Sequence, residues 1–149
     1  VHMYKRILIA TDGSPLSDKA IESGLQLASL CGASVVALKV VPRYPRSYFE
    51  GSAPLNRDDV KQVEQRWSEA ALADLNAVKA LGAADGVTVK VVVAKSELIA
   101  ETIIAAATKN NCDLIVMASH GRKGLKRLLM GSEPLNVLTQ STLPELVLR

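Results

Sequence analysis

The segment KRILIATDGSP, residues 5–15, is the stretch that decides the fold. Its apolar run is continuous, so both faces of a strand built from it would be apolar, which is typical of a buried parallel strand. The run stops at the turn pair Asp12-Gly13. A helix then begins, with Ser14 as N-cap and Pro15 at its first position. A buried strand that turns directly into a helix predicts an α/β fold.

Strand and helix patterns alternate along the rest of the chain. The apolar pattern predicts strands over 5–11, 34–41, 87–94, 113–117 and 143–148, and helices over 15–31, 58–81, 96–108 and 132–140. The inward stripe of the second helix is expected to run to Leu81, with Gly82 and Gly86 ending that helix. In the third helix, Leu98 is counted among the inward residues. Such alternation predicts one parallel sheet with right-handed crossovers.

Length and composition indicate one ordinary domain over residues 1–149. Because 48% of the residues are apolar, a core can form without disulfides or metal ions. Cys31 and Cys112 belong to no metal-binding or redox motif, and we expect both to be small buried residues. Whether Val1 and His2 are native cannot be decided from the sequence.

The composition of the chain argues against several classes of binding partner. Aromatic residues make up only 3% of the chain, too few for a base-stacking nucleic-acid platform. The net charge of +3 does not by itself name a partner. No apolar run is long enough for a secretory signal or a membrane span, so we expect a cytoplasmic protein with no membrane partner.

Two polar, glycine-containing turns follow predicted strands and are candidates for a ligand site. One is 10–14 after the first strand, and the other is 118–124 after the fourth. In open parallel sheets, ligands bind beyond the carboxyl ends of the strands, where strand order reverses. If the first and fourth strands are neighbours, both turns face one crevice.

The second turn leads into a segment with the features of an anion site. Gly121 and Gly131 let the backbone approach a ligand, and Ser132 stands where a helix with unpaired amide groups begins. At the other end, Asp12 can accept a ribose hydroxyl, hold a metal ion or simply cap the first helix. The cations of the segment are Arg122, Lys123, Lys126 and Arg127. An ordinary turn with a solvated basic face has the same features, and no P-loop or GxGxxG motif occurs.

No catalytic apparatus is visible in the sequence. It contains no GxSxG motif, no paired carboxylates in one turn and no interpretable Ser/His/Asp spacing. We therefore assign no catalytic residue. Slow hydrolysis of a phosphate-bearing ligand at the anion site stays an open alternative, because cations would stabilise developing charge, although no residue is evident to position the attacking water.

The segment ASHGRKGLKRLLMGS, residues 118–132, resembles the nucleotide-binding signature of the universal stress protein family, Gly-x2-Gly-x9-Gly-[Ser/Thr]. Gly121, nine intervening residues, Gly131 and Ser132 match it, while Ala118 stands in place of the first glycine. The opening YKRILIATDGS, the KVV of the second strand and DLIVM also resemble the family, in the same order. The resemblance therefore covers nearly the whole chain.

That resemblance implies a single Rossmann-like domain with a five-stranded parallel sheet in the order 3-2-1-4-5 and helices on both faces. It also implies ATP, ADP or AMP as the ligand. Asp12 would meet the ribose or Mg²⁺, and Arg122, the first cation of the segment, belongs to the expected set. The other residues that the resemblance assigns are Ala10, Thr11 and Val40 around the adenine, Met117, Ala118, His120 and Gly121 along the ribose and phosphate, and Gly131 and Ser132 around the phosphates.

Two departures from the family pattern bear on this site. The Ala118 methyl is tolerable in ordinary β or α backbone but costs free energy at positive φ. After Ser132, Glu133 would repel a phosphate and Pro134 removes an amide donor. We therefore consider three alternative functions: a nucleotide-binding stress-response regulator without fast turnover, a nucleotide-independent dimeric scaffold, and a weak ATPase.

The last predicted strand, residues 143–148, would be an exposed edge if left alone. Pairing with a second copy across a two-fold axis covers such an edge, and the resembled family is usually dimeric. We therefore expect a homodimer through the C-terminal strand. With the axis through Val147, Glu145 would face Arg149 of the second copy.

Overall fold

The fold is a five-stranded parallel sheet with helices on both faces, and the computed structural model describes residues 3–43, 57–119, 137 and 140–149. The elements are β1 (Arg6–Ala10), α1 (Pro15–Cys31), β2 (Ser34–Val41), α2 (Arg57–Ala84), β3 (Val89–Lys95), α3 (Ile99–Lys109), β4 (Leu114–Ala118) and β5 (Glu145–Leu148). The sheet order is β3-β2-β1-β4-β5, and all neighbours pair in parallel. The predicted fold class and strand order are confirmed. Of the helix expected over 132–140, Val137 and Gln140 are described, and both are helical.

The core has two layers, one on each face of the sheet. On one face, α1 and α2 pack against Ile7, Ile9 and their neighbours. On the other face, α3 and Val137 cover Leu8 and its neighbours. Consecutive residues of β1 thus enter opposite layers, which explains why that strand is apolar throughout. None of the helices in the described ranges is long and apolar enough to span a bilayer.

Helix α1 begins and ends where its capping residues predict. The Ser14 side chain accepts a hydrogen bond of 3.1 Å from the backbone amide of Ser17, and Pro15 occupies the first helical position. Gly32 ends the helix with φ of 68°, and its amide donates to the carbonyl of Ala28. These caps fix the direction in which the chain leaves β1.

The expected end of α2 at Gly82 is wrong. The helix continues to Ala84, and Gly82 is buried inside it. A Cβ atom at Gly82 would lie 2.5 Å from Cγ2 of Val89, so the glycine permits a close approach of helix to strand. Gly82, rather than Leu81, therefore occupies the inward position, and Leu81 is 58% exposed.

The expected start of α3 at Ser96 is also wrong. The helix begins at Ile99, and the Ser96 hydroxyl accepts a 3.0 Å hydrogen bond from the amide of Leu98. This short side-chain turn holds Leu98 outside the first helical turn. The side chain of Leu98 is consequently 62% exposed, whereas it was expected to point inward.

The two cysteines differ in burial. Cys112 is buried as expected, and burial raises the pKa of its thiol to about 11, although the charges of Arg6 and Lys90 oppose that shift. The thiol is therefore protonated and unreactive at neutral pH. Cys31 is only half-buried, so the expectation of burial is wrong for that residue.

Strand β5 is an edge of the sheet, as expected. Glu145 lies opposite Ile115 of β4, and both of its carboxylate oxygens are buried with no hydrogen-bond partner among the described residues. Burial raises the pKa of Glu145 from its ordinary 4.5 to about 7. The charged form of this side chain is therefore unfavourable within one copy of the chain.

We predict that the free energy of unfolding of dilute protein falls as pH rises from about 4.5 to about 7. In that window the unfolded chain has released the Glu145 proton while the folded chain still holds it. Glu145→Gln should remove about 1–2 kcal/mol of this dependence, after allowance for partial solvent access. Urea unfolding at several pH values measures it, with the exposed Glu97→Gln as control. An unchanged pH slope in Glu145→Gln would refute the prediction.

Candidate functional site

The six described residues of the predicted site converge at the carboxyl ends of three adjacent strands. In the register of β1 with β2, Ala10 pairs with Leu38, so Val40 extends beyond it at the same edge. In the register of β1 with β4, Ile9 pairs with Val116, which brings the next residue of each strand side by side. The converging residues are Ala10, Thr11, Asp12, Val40, Met117 and Ala118.

This edge is also where the strand order reverses. From β1 the chain proceeds to β2 and β3 on one side of the sheet, and then crosses to β4 and β5 on the other. Beyond β1, Thr11 donates its amide to the carbonyl of Leu38 at 3.0 Å. Beyond β4, Ser119 donates its amide to the carbonyl of Leu148 at 2.7 Å. The chain ends of β1 and β4 thus bond to opposite neighbours, and diverging chain ends of this kind open the crevice that parallel α/β folds use for ligands.

The other half of the predicted site lies outside the described residues. It consists of His120, Gly121, Arg122, Gly131 and Ser132. Glu133 and Pro134, which depart from the family pattern, also lie outside them. The phosphate end of the site and the effect of these departures therefore stay predictions.

A buried hydroxyl network fixes the turn after β1. The Ser17 hydroxyl donates to Oγ1 of Thr11 at 2.7 Å and accepts from the amide of Asp12 at 3.1 Å. Oγ1 of Thr11 also accepts from the amide of Gly13 at 3.3 Å, and Gly13 has φ of 81°, a conformation that favours glycine. Two side chains, one from the turn and one from the helix, therefore hold the backbone at this edge.

Asp12 is held in place but keeps an oxygen for a ligand. Its Oδ1 accepts a 2.9 Å hydrogen bond from the amide of Ser14. Its Oδ2 accepts no hydrogen bond from the described part of the chain, and the residue is half-buried. The interpretation of Asp12 as the cap of α1 is wrong, because Ser14 caps that helix. A fixed carboxylate with one available oxygen can accept a hydroxyl proton or bind a cation.

Ala118 does not strain the backbone in place of the family glycine. It is the last residue of β4, and Asn111 is the only non-glycine residue with positive φ in the described ranges. The methyl group therefore sits in extended backbone, which any residue adopts. Of the two outcomes open from the sequence, the tolerable one holds.

Sequence reasoning missed two hydroxyl residues at this edge. Ser17 stands three positions after the N-cap Ser14, a spacing at which a side chain reaches back to the chain before a helix. Ser119 directly follows β4, and its hydroxyl is buried with no hydrogen-bond partner among the described residues. A polar residue directly after a buried strand is the signal that could have identified Ser119.

A metal site is not preformed in the described part of the chain. There, no three His, Cys, Asp or Glu side chains lie close enough together to hold an ion. Asp12 is the only acidic residue of the predicted set. A magnesium ion could bind through one carboxylate only if a ligand phosphate supplied further oxygens.

Comparison with known proteins agrees with the fold. The model of the universal stress protein family matches residues 3–149. The chain belongs to this family. Universal stress protein MJ0531 of Methanocaldococcus jannaschii is 33% identical, over 99% of this chain and 84% of that protein. Universal stress protein YxiE of Bacillus subtilis is 29% identical, over 99% of this chain and 100% of that protein.

A solved structure agrees as well. The structure of MJ0577, also from Methanocaldococcus jannaschii, superimposes with a TM-score of 0.81 at 27% identity, covering 98% of this chain and 96% of that one. This chain therefore shares the overall fold of that family member.

We predict that Ser17→Ala destabilises the protein by about 1–3 kcal/mol, because it removes a hydrogen bond to the buried Thr11 hydroxyl and leaves the Asp12 amide without a partner. Urea unfolding measures the change. The matched control is Ser29→Ala, an exposed serine on the same helix, which should change stability by less than about 0.5 kcal/mol. Equal stability of Ser17→Ala and wild type would show that the network does not hold the turn.

Proposed function

We propose that this universal stress protein is an adenine-nucleotide-binding regulator without fast turnover. The observation that carries the proposal is the convergence of three strand ends around Asp12, whose carboxylate is fixed through Oδ1 while Oδ2 stays available. A nucleotide bound there would contact β1, β2 and β4 at once. Its occupancy could then change the surface that the protein presents to partners.

The choice of adenine nucleotide is supported by two proteins with the same fold. One is a universal stress protein solved in complex with cAMP, with a TM-score of 0.68 at 20% identity. The other is a universal stress protein from Archaeoglobus fulgidus solved in complex with dAMP, with a TM-score of 0.60 at 15% identity. Both ligands contain adenine and a single phosphate. AMP is therefore as reasonable a ligand for this chain as ADP or ATP.

In the proposed complex each part of the nucleotide meets a suitable group. Asp12 accepts a ribose hydroxyl, or binds a Mg²⁺ ion that the phosphates also hold. Backbone amides at the start of a helix suit the phosphates. The proposed contacts are Ala10, Thr11 and Val40 for the adenine, Met117, Ala118, His120 and Gly121 for the ribose and first phosphate, Arg122 for charge, and Gly131 and Ser132 for the phosphates.

Binding rather than catalysis is proposed because the described site residues offer one carboxylate and no second group to activate water. We also propose a cytoplasmic location, since Cys31 and Cys112 are not joined by a disulfide. With few aromatic residues, nucleic acid is not the proposed partner.

We predict that the purified protein binds AMP, ADP or ATP, and that Asp12→Ala weakens binding at least about tenfold through loss of a charge-assisted hydrogen bond. Gly131→Ala should also weaken it by crowding the phosphates. Titration calorimetry with and without Mg²⁺ measures affinity. Asp58→Asn, an exposed carboxylate at the start of α2, is the control and should bind normally.

Two results would favour the other functions. If acid extracts of the purified protein contain no nucleotide and wild type shows no binding heat, the nucleotide-independent scaffold is correct. If phosphate is released from ATP well above background, and Asp12→Ala stops it, the protein is a weak ATPase.

We also propose a homodimer through β5. The edge position of this strand leaves backbone groups for pairing. A two-fold axis through Val147 would place Arg149 of a second copy opposite Glu145. Both carboxylate oxygens of Glu145 are buried in the single chain, so the side chain would have to turn towards the interface to pair with that guanidinium.

We predict a dimeric mass in light scattering at micromolar concentration. Val147→Pro removes an amide from the pairing strand and should shift the mass to that of a monomer, 15.9 kDa. Arg149→Ala should weaken the dimer less, because it leaves the backbone pairing intact. A monomeric wild type would exclude the proposed interface.

A further inference from the structure

A groove of about 740 Å³ separates α1 from α2 on one face of the sheet. Two glycines let the helices lie close to the sheet. A Cβ at Gly24 of α1 would lie 2.6 Å from Cδ1 of Ile9 on β1, so this glycine lets α1 approach β1 closely. Gly82 does the same for α2 against β3, and a Cβ there would also lie 3.4 Å from Cδ2 of Leu25 on α1. The two helices therefore touch at the floor of the groove, through Leu25 and Gly82.

The floor of the groove is apolar. Ile21 and Leu25 line it from α1, and Val78 and Leu81 line it from α2. Leu81 is 58% exposed, so part of this apolar surface meets water in the isolated chain. Ile21, Leu25 and Val78 are at most 7% exposed, so Leu81 supplies most of the apolar surface that a partner could cover. Each square ångström of it removed from water contributes about 25 cal/mol.

The rim of the groove is acidic. Asp18 and Glu22 border it from α1, while Asp74 and Asp85 border it from α2 and the turn that follows. No Lys, Arg or His belongs to its lining. One carboxylate, that of Asp74, is paired with Lys39 at 2.8 Å. The groove thus keeps an excess of negative charge on a chain whose net charge is +3.

We propose that this groove binds an amphipathic helix of another protein, one that carries an apolar stripe flanked by Lys or Arg. An α-helix presents such a stripe at positions i, i+3, i+4 and i+7, so its apolar face could meet Leu81 and the floor while its basic residues meet the carboxylates of the rim. The apolar floor provides affinity, and the acidic rim selects basic partners and speeds their association. Thr11 and Gly13 also line the groove, so one end of it adjoins the candidate nucleotide site. The proposal rests on the apolar floor and the acidic rim, and not on nucleotide binding.

The test uses the full chain and a fluorescent peptide of about 18 residues, with a leucine stripe flanked by lysines. Anisotropy should show saturable binding that weakens as salt is raised. A scrambled peptide of equal composition lacks the stripe, and a peptide with glutamates for the lysines lacks the charge. Both should bind at least about fivefold more weakly.

Matched variants locate the binding. The double variant Glu22→Gln, Asp85→Asn should bind the lysine peptide about fivefold more weakly than wild type. The control double variant Asp58→Asn, Glu97→Gln changes residues outside the groove and should bind it normally. Leu81→Ser should also lower the affinity about fivefold. Its control is Leu30→Ser, an α1 residue that is 86% exposed and does not line the groove. Circular dichroism checks that each variant folds.

Three results would overturn the proposal. The first is equal binding of the helical and scrambled peptides. The second is equal binding by wild type and the Glu22→Gln, Asp85→Asn variant. The third is self-association of wild type in sedimentation that this variant abolishes, which would show that a second copy of the chain occupies the groove.

Discussion

The whole arrangement depends on the burial of β1 between β2 and β4. Ile7, Leu8 and Ile9 are fully buried, and their side chains enter the two core layers alternately. The strand therefore cannot shift by one residue without exchanging its side chains between the two layers. Its fixed register brings three carboxyl strand ends to one edge, and the candidate site is a consequence of that constraint.

Hydrogen bonds between polar groups fix the conformation of the backbone at this edge. Ser17 bonds to Thr11 and to the Asp12 amide in a buried setting, where an unmade hydrogen bond is costly. Ser14 contributes twice, as the cap of α1 and as the amide that holds Oδ1 of Asp12. One hydrogen-bonded unit thus contains the start of α1, the end of β1 and the Asp12 carboxylate. Because these groups hold one another, we expect the site to be rigid before any ligand binds.

Much of this could be predicted from the sequence, because apolar runs and capping residues are local signals. The strands and the caps of α1 followed from them. The convergence of Thr11 with Ala118 required β1 and β4 to be neighbours, and that strand order came from the family resemblance. Gly82 was misread because a glycine that ends a helix and one that admits a close neighbour look alike until Val89 is placed. The prediction for Leu98 was wrong for a related reason. The hydrogen bond from its amide to the Ser96 hydroxyl places Leu98 before the first turn of α3, and this bond could not be foreseen from the apolar pattern.

Amide chemical shifts in the presence of AMP test the central claim most directly, since they report where on the sheet a ligand binds. The account predicts saturable shifts at Thr11, Asp12, Val40 and Ser119, which lie at one edge, and none at Gly32 and Gly86, which lie in the turns before β2 and β3 at the opposite edge. Shifts centred on those two glycines, or no shifts at millimolar AMP, would contradict it.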